Sequence, residues 1–243
     1  GRMAAEVAAL DRMSATEWLD REGFTDPALR WWVEYGTRDD YGASLSQASA
    51  WAAAHYFAAR EAHEEGPLTW PEGNDWLVRA LEARLSRRAS KDGDRRVVAG
   101  APVVQLVPPS AERGQRRWRV ETPGLRVEAD IVIWCAPLFL LPRVCPAIHV
   151  PALPEYAPWV VANVVLDRLP AERGAPLAWD NVIFGSPSLG YVNAAHQSLG
   201  GPRLPAVWTW YHAPVDRGAR AAREWMAARP WSAWRDDVLA DLR

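Results

Sequence analysis

The chain has 243 residues, of which 49% are hydrophobic and 24% are charged, and its formal net charge is −2. These proportions are those of a globular protein and exclude a disordered tail, and the missing basic excess argues against a dedicated nucleic-acid binder. No run of 18 apolar residues occurs, which argues against a membrane span.

The first 90 residues are predicted to be helical. Ser14 and Glu17 have the spacing of a capping box, which marks the start of a helix. Asp26-Pro27 opens the next helix, because proline fits the first helical position. Asp39 to Gly42 then predicts a turn, since adjacent carboxylates and glycine are common there.

Two more helices are predicted before the pattern changes. One spans Ser46–Arg60, and the other starts at Asn74 or Asp75, where leucines repeat every four residues at Leu77, Leu81 and Leu85. Beyond Lys91 to Asp94 the sequence becomes β-branched, so this is a candidate domain boundary.

The middle of the chain is predicted to contain strands. Val103–Val107 is a β-branched run, and Pro123-Gly124 separates Arg116–Glu121 from Leu125–Glu128 as in a hairpin. The continuous apolar run Ile131–Cys135 predicts a central strand buried on both faces.

A second strand-rich zone precedes a helical end. Its predicted strands are Val160–Leu166, Val182–Phe184, Tyr191–Ala195 and Val207–Tyr211, and its helices are Asp216–Ala228 and Ser232–Leu242. Because helices and strands do not alternate regularly, we predict an α+β (mixed α/β) fold rather than a repeated βαβ unit.

The cysteine content and the first residues of the chain indicate in which cellular compartment the protein is expected. Only Cys135 and Cys145 occur, without a C-x-x-C pair, so neither a disulfide framework nor a cysteine-ligated zinc site is expected. Gly1-Arg2-Met3 leads into a polar amphipathic stretch unlike a signal peptide. We expect a cytoplasmic protein, and a targeting segment in a longer parent protein is the open alternative.

No self-sufficient catalytic motif occurs. The sequence lacks G-x-S-x-G, H-E-x-x-H, a Walker loop and G-x-G-x-x-G. Asp39-Asp40 has the composition of an acid/base pair, but a turn with a helix cap is the simpler interpretation.

Three ordered segments carry a family resemblance. They are Leu68–Asn74 before a helix, Ala101–Leu106, and Ala129–Leu138 with its strand and proline turn. Together they resemble the corresponding passages of FAD-dependent amine oxidases and phytoene-desaturase-like oxidoreductases. Trp179–Val182, Ser188–Val192 and His196-Gln197 resemble a bacterial subgroup of FAD- or NAD(P)-binding oxidoreductases.

The resemblance implies an internal fragment with a partial FAD/NAD(P)-binding sheet and a substrate domain of mixed sheet and flanking helices. Residues 1–90 would be the helical part of the substrate domain, 91–150 a remnant of the FAD-binding domain, and 151–243 the substrate-domain sheet with the C-terminal helices. The family's Rossmann strand and G-x-G-x-x-G loop have no counterpart in this sequence. The isolated chain is therefore expected to bind FAD weakly or not at all and to be inactive.

The resemblance also implies cofactor contacts. Val103 matches a residue whose backbone meets the adenine of FAD, Ala136-Pro137 would end a strand beside the cofactor, and Gly73-Asn74 would let a loop approach the flavin. The alternatives are a plain strand valine, simple strand termination and a helix cap.

Aromatic and polar residues of the second strand-rich zone are candidates for the substrate pocket. They are Trp179, Asn181, Tyr191, Trp208, Trp210 and His212. Alternation along a strand puts Trp208, Trp210 and His212 on one face. That face either looks into a pocket or packs in the core against helices.

At the level of the family, the intact protein would oxidise an amine or an apolar polyene by hydride transfer to flavin. A small-molecule substrate and a homodimer through strand edges within residues 97–140 are the expected partners. The alternatives are a non-catalytic interaction protein and a Trp-rich carbohydrate-binding domain or glycoside hydrolase, with Asp39, Asp40 or Asp180 as carboxylates.

Overall fold

The computed structural model describes residues 4–59, 70–92, 97–112, 114–151, 153, 155–170, 174, 177–193, 195 and 203–243. They form the mixed α+β fold that the sequence predicted. The α-helices are α1 (Ala5–Asp11), α2 (Ala15–Arg21), α3 (Pro27–Tyr41), α4 (Ala50–Ala58), α5 (Asp75–Asp92), α6 (Leu141–Val144), α7 (Ala219–Ala228) and α8 (Trp231–Asp241). The strands are β1 (Gln105–Val107), β2 (Trp118–Glu121), β3 (Arg126–Ala129), β4 (Val160–Leu166), β5 (Asp180–Asn181), β6 (Tyr191–Asn193) and β7 (Ala206–His212), and a 3-10 helix spans Leu138–Leu140.

The chain folds into two compact units. The first comprises Gly1–Gly73 and Tyr156–Arg243, and the second is Asn74–Glu155. The first unit is therefore discontinuous, because the chain leaves it after Gly73 and returns at Tyr156. The second unit includes α5 together with β1, β2 and β3. The domain boundaries proposed near residues 90 and 150 stay predictions.

A four-stranded antiparallel sheet of order β4-β7-β6-β5 forms the frame of the first unit. β4 and β7 pair along their whole length, from Val160 opposite His212 to Leu166 opposite Ala206. Their valine- and tryptophan-rich sequences suit a pleated, partly buried surface. The predicted strand over residues 160–166 is confirmed.

Helix α3 covers one face of this sheet. Tyr35 of α3 forms a buried cluster with Leu189 and Ala213, and Trp159 and Tyr211 pack against it. The helix begins as predicted, with Pro27 at its first position and the Asp26 side chain accepting a hydrogen bond from the amide of Leu29.

Helices α2 and α4 form a second small core in the same unit, with Ala15, Leu19, Val33 and Ala53 buried together. The predicted capping box is confirmed, since Ser14 Oγ accepts from the Glu17 amide at 3.2 Å and Glu17 Oε2 accepts from the Ser14 amide at 2.8 Å.

The second unit is a three-stranded antiparallel sheet of order β1-β2-β3. The hairpin predicted around Pro123-Gly124 is confirmed, with Trp118 opposite Ala129 and Glu121 opposite Arg126. One face of the sheet covers a small core of Leu106, Leu141 and Cys145.

The prediction of a buried central strand over Ile131–Cys135 is wrong. This segment forms no strand, and Ile131 and Ile133 are 78% and 81% exposed. Val132 and Trp134, which alternate with them, pack on the core of the second unit. The apolar run indicated burial on both faces, but the described residues of this unit cover only one.

Two further local predictions are corrected. Asp39 and Asp40 belong to the last helical turn of α3 and do not form the predicted chain-reversing turn. The helix is capped by Gly42, whose φ of +59° is a left-handed conformation. No strand forms over Val182–Phe184, because Phe184 and Gly185 already form a turn and the neighbouring strand β5 is Asp180–Asn181.

Some resemblance residues, Leu68-Thr69 and His196-Gln197, lie outside the described residues. Within the described ranges, no helix has the length and apolar character needed to cross a membrane.

Candidate functional site: an aromatic and acidic pocket

The face of β7 that points away from α3 carries the predicted row of aromatic side chains. Trp208 and Trp210 are buried, and Trp210 stacks beside His212 with ring centroids 5.8 Å apart. Alternation along the strand puts these three side chains on one face. The prediction of a shared face therefore agrees with the pattern of burial along β7.

A cavity of about 490 Å³ lies between this face and helices α7 and α8. Trp210 and His212 of β7 form one wall, and Trp225 of α7 and Trp234 of α8 form the opposite one. The carboxylates that line it are Asp216, Asp237 and Asp241, and the guanidinium is that of Arg217. Aromatic walls with a few charged groups are typical of small-molecule sites.

Asp241 is held by three donors at the inner end of the pocket. Its carboxylate accepts from Ser186 Oγ at 2.6 Å, from Trp210 Nε1 at 2.7 Å and from Ser188 Oγ. Asp241 is the last residue of α8, where the helix dipole disfavours a negative charge. The three donors offset that penalty and fix the indole of Trp210.

His212 has a defined tautomer in this geometry. Its Nδ1 lies 2.9 Å from the carbonyl oxygen of Pro187, which also accepts from Arg38 Nη1 at 2.9 Å. Because a carbonyl only accepts, Nδ1 carries the hydrogen and Nε2 keeps its lone pair. Burial lowers the pKa of His212, and the charge of Arg38 adds to this effect, so the imidazole is neutral near pH 7.

The tryptophan walls already contact cations of the protein itself. The guanidinium carbon of Arg217 lies 4.4 Å from the ring centre of Trp225. That of Arg229 lies 5.3 Å from Trp225 and 5.1 Å from Trp234, and Arg229 also pairs with Asp237. These ring faces are therefore placed to hold positive charge.

A separate polar cluster lies on the α3 face of the sheet. Asp180 accepts hydrogen bonds from Tyr35 Oη at 3.2 Å and from Tyr211 Oη at 2.9 Å. Burial raises the pKa of both tyrosines, and the charge of Asp180 raises it further. Asp180 therefore joins α3 to β7 and is satisfied by these phenols.

Asp39 accepts from Tyr56 Oη at 3.0 Å, while Asp40 is exposed at the end of α3. Besides burial, the charge of Asp39, like that of Asp180, contributes to the raised pKa of Tyr35 and of Tyr211.

The other predicted pocket residues lie outside the cavity wall. Tyr191 stacks on Trp208 with ring centroids 4.2 Å apart, which packs β6 against β7. Asn181 Oδ1 accepts from the amide of Ala178 and its Nδ2 donates to the carbonyl of Ala178, so it braces the start of β5. Trp179 is exposed one residue before that strand.

The predicted cofactor residues are distributed over several loops. Val103 is exposed and extended before β1, and Ala136 and Pro137 are exposed before the 3-10 helix, where the Pro137 carbonyl accepts from the Leu140 amide. Gly73 has a φ of +61° in the turn before α5, and the Asn74 carbonyl accepts from the Leu77 amide.

The described residues of the second unit do not fit the pyrophosphate of FAD. That group needs backbone amides of a glycine-rich loop at a helix N-terminus. Helix α5 instead has the carboxylate of Asp75 in its first turn, and α6 is four residues long with a proline at its start.

Several residues of the pocket were not predicted. Asp241 lies 55 positions from Ser186 and 53 positions from Ser188, and no local motif encodes contacts at such separations. The pair Trp225 and Trp234 could have been found in the sequence, because these tryptophans flank Pro230 on two consecutive predicted helices. In the structure their ring centroids lie 5.0 Å apart.

A scan against models of known protein families finds no match, and a search of curated proteins also finds none. Among the described residues, no group of three or more histidine, cysteine, aspartate or glutamate side chains could hold a metal ion.

Proposed function

We propose that this chain supplies the substrate-binding part of an amine-oxidase-like, FAD-dependent oxidoreductase, and that the pocket beneath α7 and α8 receives a protonated amine. The observation that carries the proposal is the combination of tryptophan walls with an excess of carboxylates. Three aspartates line the cavity, and the two guanidinium groups of Arg217 and Arg229 contact its tryptophan rings, so one negative charge is in excess and an organic cation is favoured over an anion.

The same geometry supports one of the two predicted substrate classes over the other. A polyene would have to cover Asp216, Asp237 and Asp241 with hydrocarbon, and this removes water from charged groups even though each already has a partner within the protein. A protonated amine would add a cation beside these carboxylates and beside the rings of Trp225 and Trp234, which already contact Arg217 and Arg229. The amine is therefore the better candidate.

His212 supplies a second function in this pocket. Its neutral Nε2 can accept a hydrogen bond or a proton from an ammonium group, because Nδ1 is committed to the Pro187 carbonyl. The lowered pKa keeps that acceptor available near neutral pH. We assign His212 the role of orienting the amine by accepting a hydrogen bond from its N–H.

The order of elements in the second unit supports the family resemblance. The helix α5, the strand β1 and the hairpin β2–β3 precede Pro137 in the order that the resemblance implies. The two segments of the first unit precede and follow these elements in the sequence. A substrate domain that is interrupted by a cofactor domain has the same order.

The substrate proposal is tested by titrating the purified chain with benzylammonium and with its neutral analogue benzyl alcohol, read by tryptophan fluorescence and calorimetry. Cation–π contacts favour the cation by about two- to thirtyfold in affinity. Trp225→Ala should remove this preference. The matched control is Trp231→Ala, an exposed tryptophan on the first turn of α8 that does not line this pocket. Equal affinity for both compounds would refute the amine proposal.

The cofactor part has its own test. We expect FAD to bind weakly or not at all to this chain, and the gene just upstream to encode a strand followed by G-x-G-x-x-G. A purified chain with stoichiometric bound flavin would contradict the first expectation. An upstream sequence without that motif would contradict the family assignment but not the amine pocket.

A further inference from the structure

We propose that the outer edge of β4 is a self-association site, at which a second copy of this chain adds its own β4 in antiparallel orientation. The two four-stranded sheets would then form one continuous sheet of eight strands about a two-fold axis.

β4 is an edge strand without the usual protection. It lies at one end of the order β4-β7-β6-β5, and no described residue pairs with its outer side. Natural edge strands avoid pairing through charges, proline or bulges. The seven residues from Val160 to Leu166 contain no charge, no proline and no glycine.

The side chains of β4 leave apolar surface open beside this edge. Val161 and Val165 are 60% and 66% exposed on the face they share with Tyr211 and Val207. On the other face, a groove of about 390 Å³ runs along β4 and is bordered by α8. Trp231 of α8 lines that groove and is 74% exposed.

The sequence of β4 favours a second copy as the occupant, because it is complementary to itself. Antiparallel pairing centred on Asn163 places Asn163 opposite its own copy and Val161 opposite Val165 of the other chain. Ala162 then faces Val164. Each copy therefore places valine beside valine on the α3 side of the sheet, where Val161 and Val165 are exposed, and Asn163, whose Oδ1 accepts from Thr209 Oγ1, lies at the centre of the pair.

The groove beside α8 fits the same arrangement. In the continuous sheet, the second copy's Ala162, Val164 and Leu166 lie on the groove face of its β4, because they alternate with Val161, Asn163 and Val165. These side chains would enter the groove and cover Trp231 and Leu239. Both exposed surfaces would be buried by one symmetric contact.

Sedimentation velocity over a dilution series of the full chain tests the proposal. We expect a reversible shift from the mass of one chain to that of two as concentration rises. Val161→Lys should keep the chain monomeric at every concentration, because the ammonium would lie against the partner's valine. The matched control is Val104→Lys, which changes an exposed valine beside β1 and should dimerise like the wild type. Circular dichroism verifies that both variants are folded.

The register is tested separately by crosslinking. With Cys135 replaced by alanine, Asn163→Cys should form a disulfide-linked dimer under mild oxidation, because opposite Cα atoms in an antiparallel pair lie within disulfide reach. Val104→Cys in the same background should crosslink far more slowly. A wild-type chain that stays monomeric, which would leave the edge to a peptide of another protein, overturns the proposal. The proposal is also overturned if the wild type dimerises and the dimer is lost in Val104→Lys but kept in Val161→Lys.

Discussion

The two units of this chain use their sheets differently. In the first unit the sheet has packed side chains on both faces, with Tyr35 and Leu189 on one and Trp208 and Trp210 buried on the other. In the second unit only one face of the sheet covers a core, and Ile131 and Ile133 are exposed. Similar apolar sequences are therefore buried in one unit and exposed in the other, according to which elements pack against them.

A second difference concerns buried polar groups. The first unit ties its layers together with hydrogen-bonded carboxylates, Asp241 between α8 and β7 and Asp180 between α3 and β7. In the second unit, the ion pair of Arg117 with Asp130 lies on the surface and that of Arg119 with Glu121 is half-buried. We therefore expect substitutions of these buried carboxylates to have larger effects than substitutions of the exposed ion pairs.

The largest effect is expected for Trp210→Ala. It removes a buried indole and one donor to Asp241, and large-to-small changes at such sites cost about 3–5 kcal/mol in the free energy of unfolding. Urea denaturation followed by circular dichroism measures it. The control Trp231→Ala, at an exposed tryptophan, should stay within about 0.5 kcal/mol of wild type. Equal losses in both variants would break the contrast between buried and exposed aromatics.

The next effect is expected for Asp241→Asn. The amide keeps the shape but presents an NH₂ group to a cluster of donors, so at least one of Ser186, Ser188 and Trp210 loses its acceptor. An unsatisfied buried group costs about 1–3 kcal/mol. Asp236→Asn, at an exposed aspartate paired with Arg235, is the control and should be nearly neutral. A neutral Asp241→Asn would show that the carboxylate does not join α8 to the sheet.

A smaller, pH-dependent effect is expected from His212. Its folded pKa lies below the ordinary value of 6.5, so in the window between these two values the unfolded chain binds a proton that the folded chain does not. The stabilisation is complete above pH 6.5 and is lost as pH falls through that window. Melting temperatures measured across it should fall less steeply for His212→Gln than for wild type. His149→Gln, at an exposed histidine, should keep the wild-type slope; a His212→Gln slope identical to wild type would contradict this expectation.

The smallest effect is expected in the second unit. Ile133→Ser changes a side chain that is almost fully exposed and should alter the free energy of unfolding by about 0.5 kcal/mol or less. Leu106→Ala, in the core of the same unit, should cost about 2–5 kcal/mol by comparison. Chemical denaturation of both variants measures the contrast. A large loss for Ile133→Ser would mean that this face is covered in solution.

Much of the local structure was readable from the sequence because its causes are local. The capping box of Ser14 and Glu17, the start of α3 at Pro27 and the hairpin at Pro123-Gly124 depend on residues a few positions apart. Alternation likewise predicted that Trp208, Trp210 and His212 share a face.

Tertiary structure alone decided which surfaces are covered and which distant groups meet. The run Ile131–Cys135 has the composition of a buried strand, but burial depends on neighbouring layers, which the run does not encode. Likewise Asp241 meets Ser186 and Ser188 only because α8 folds back over β7. The helix caps, the hairpin at Pro123-Gly124 and the shared face of β7 were predictable, since they follow from backbone sterics and hydrogen bonds between neighbours. The pocket and the open edge of β4 arise from packing between segments far apart in the chain.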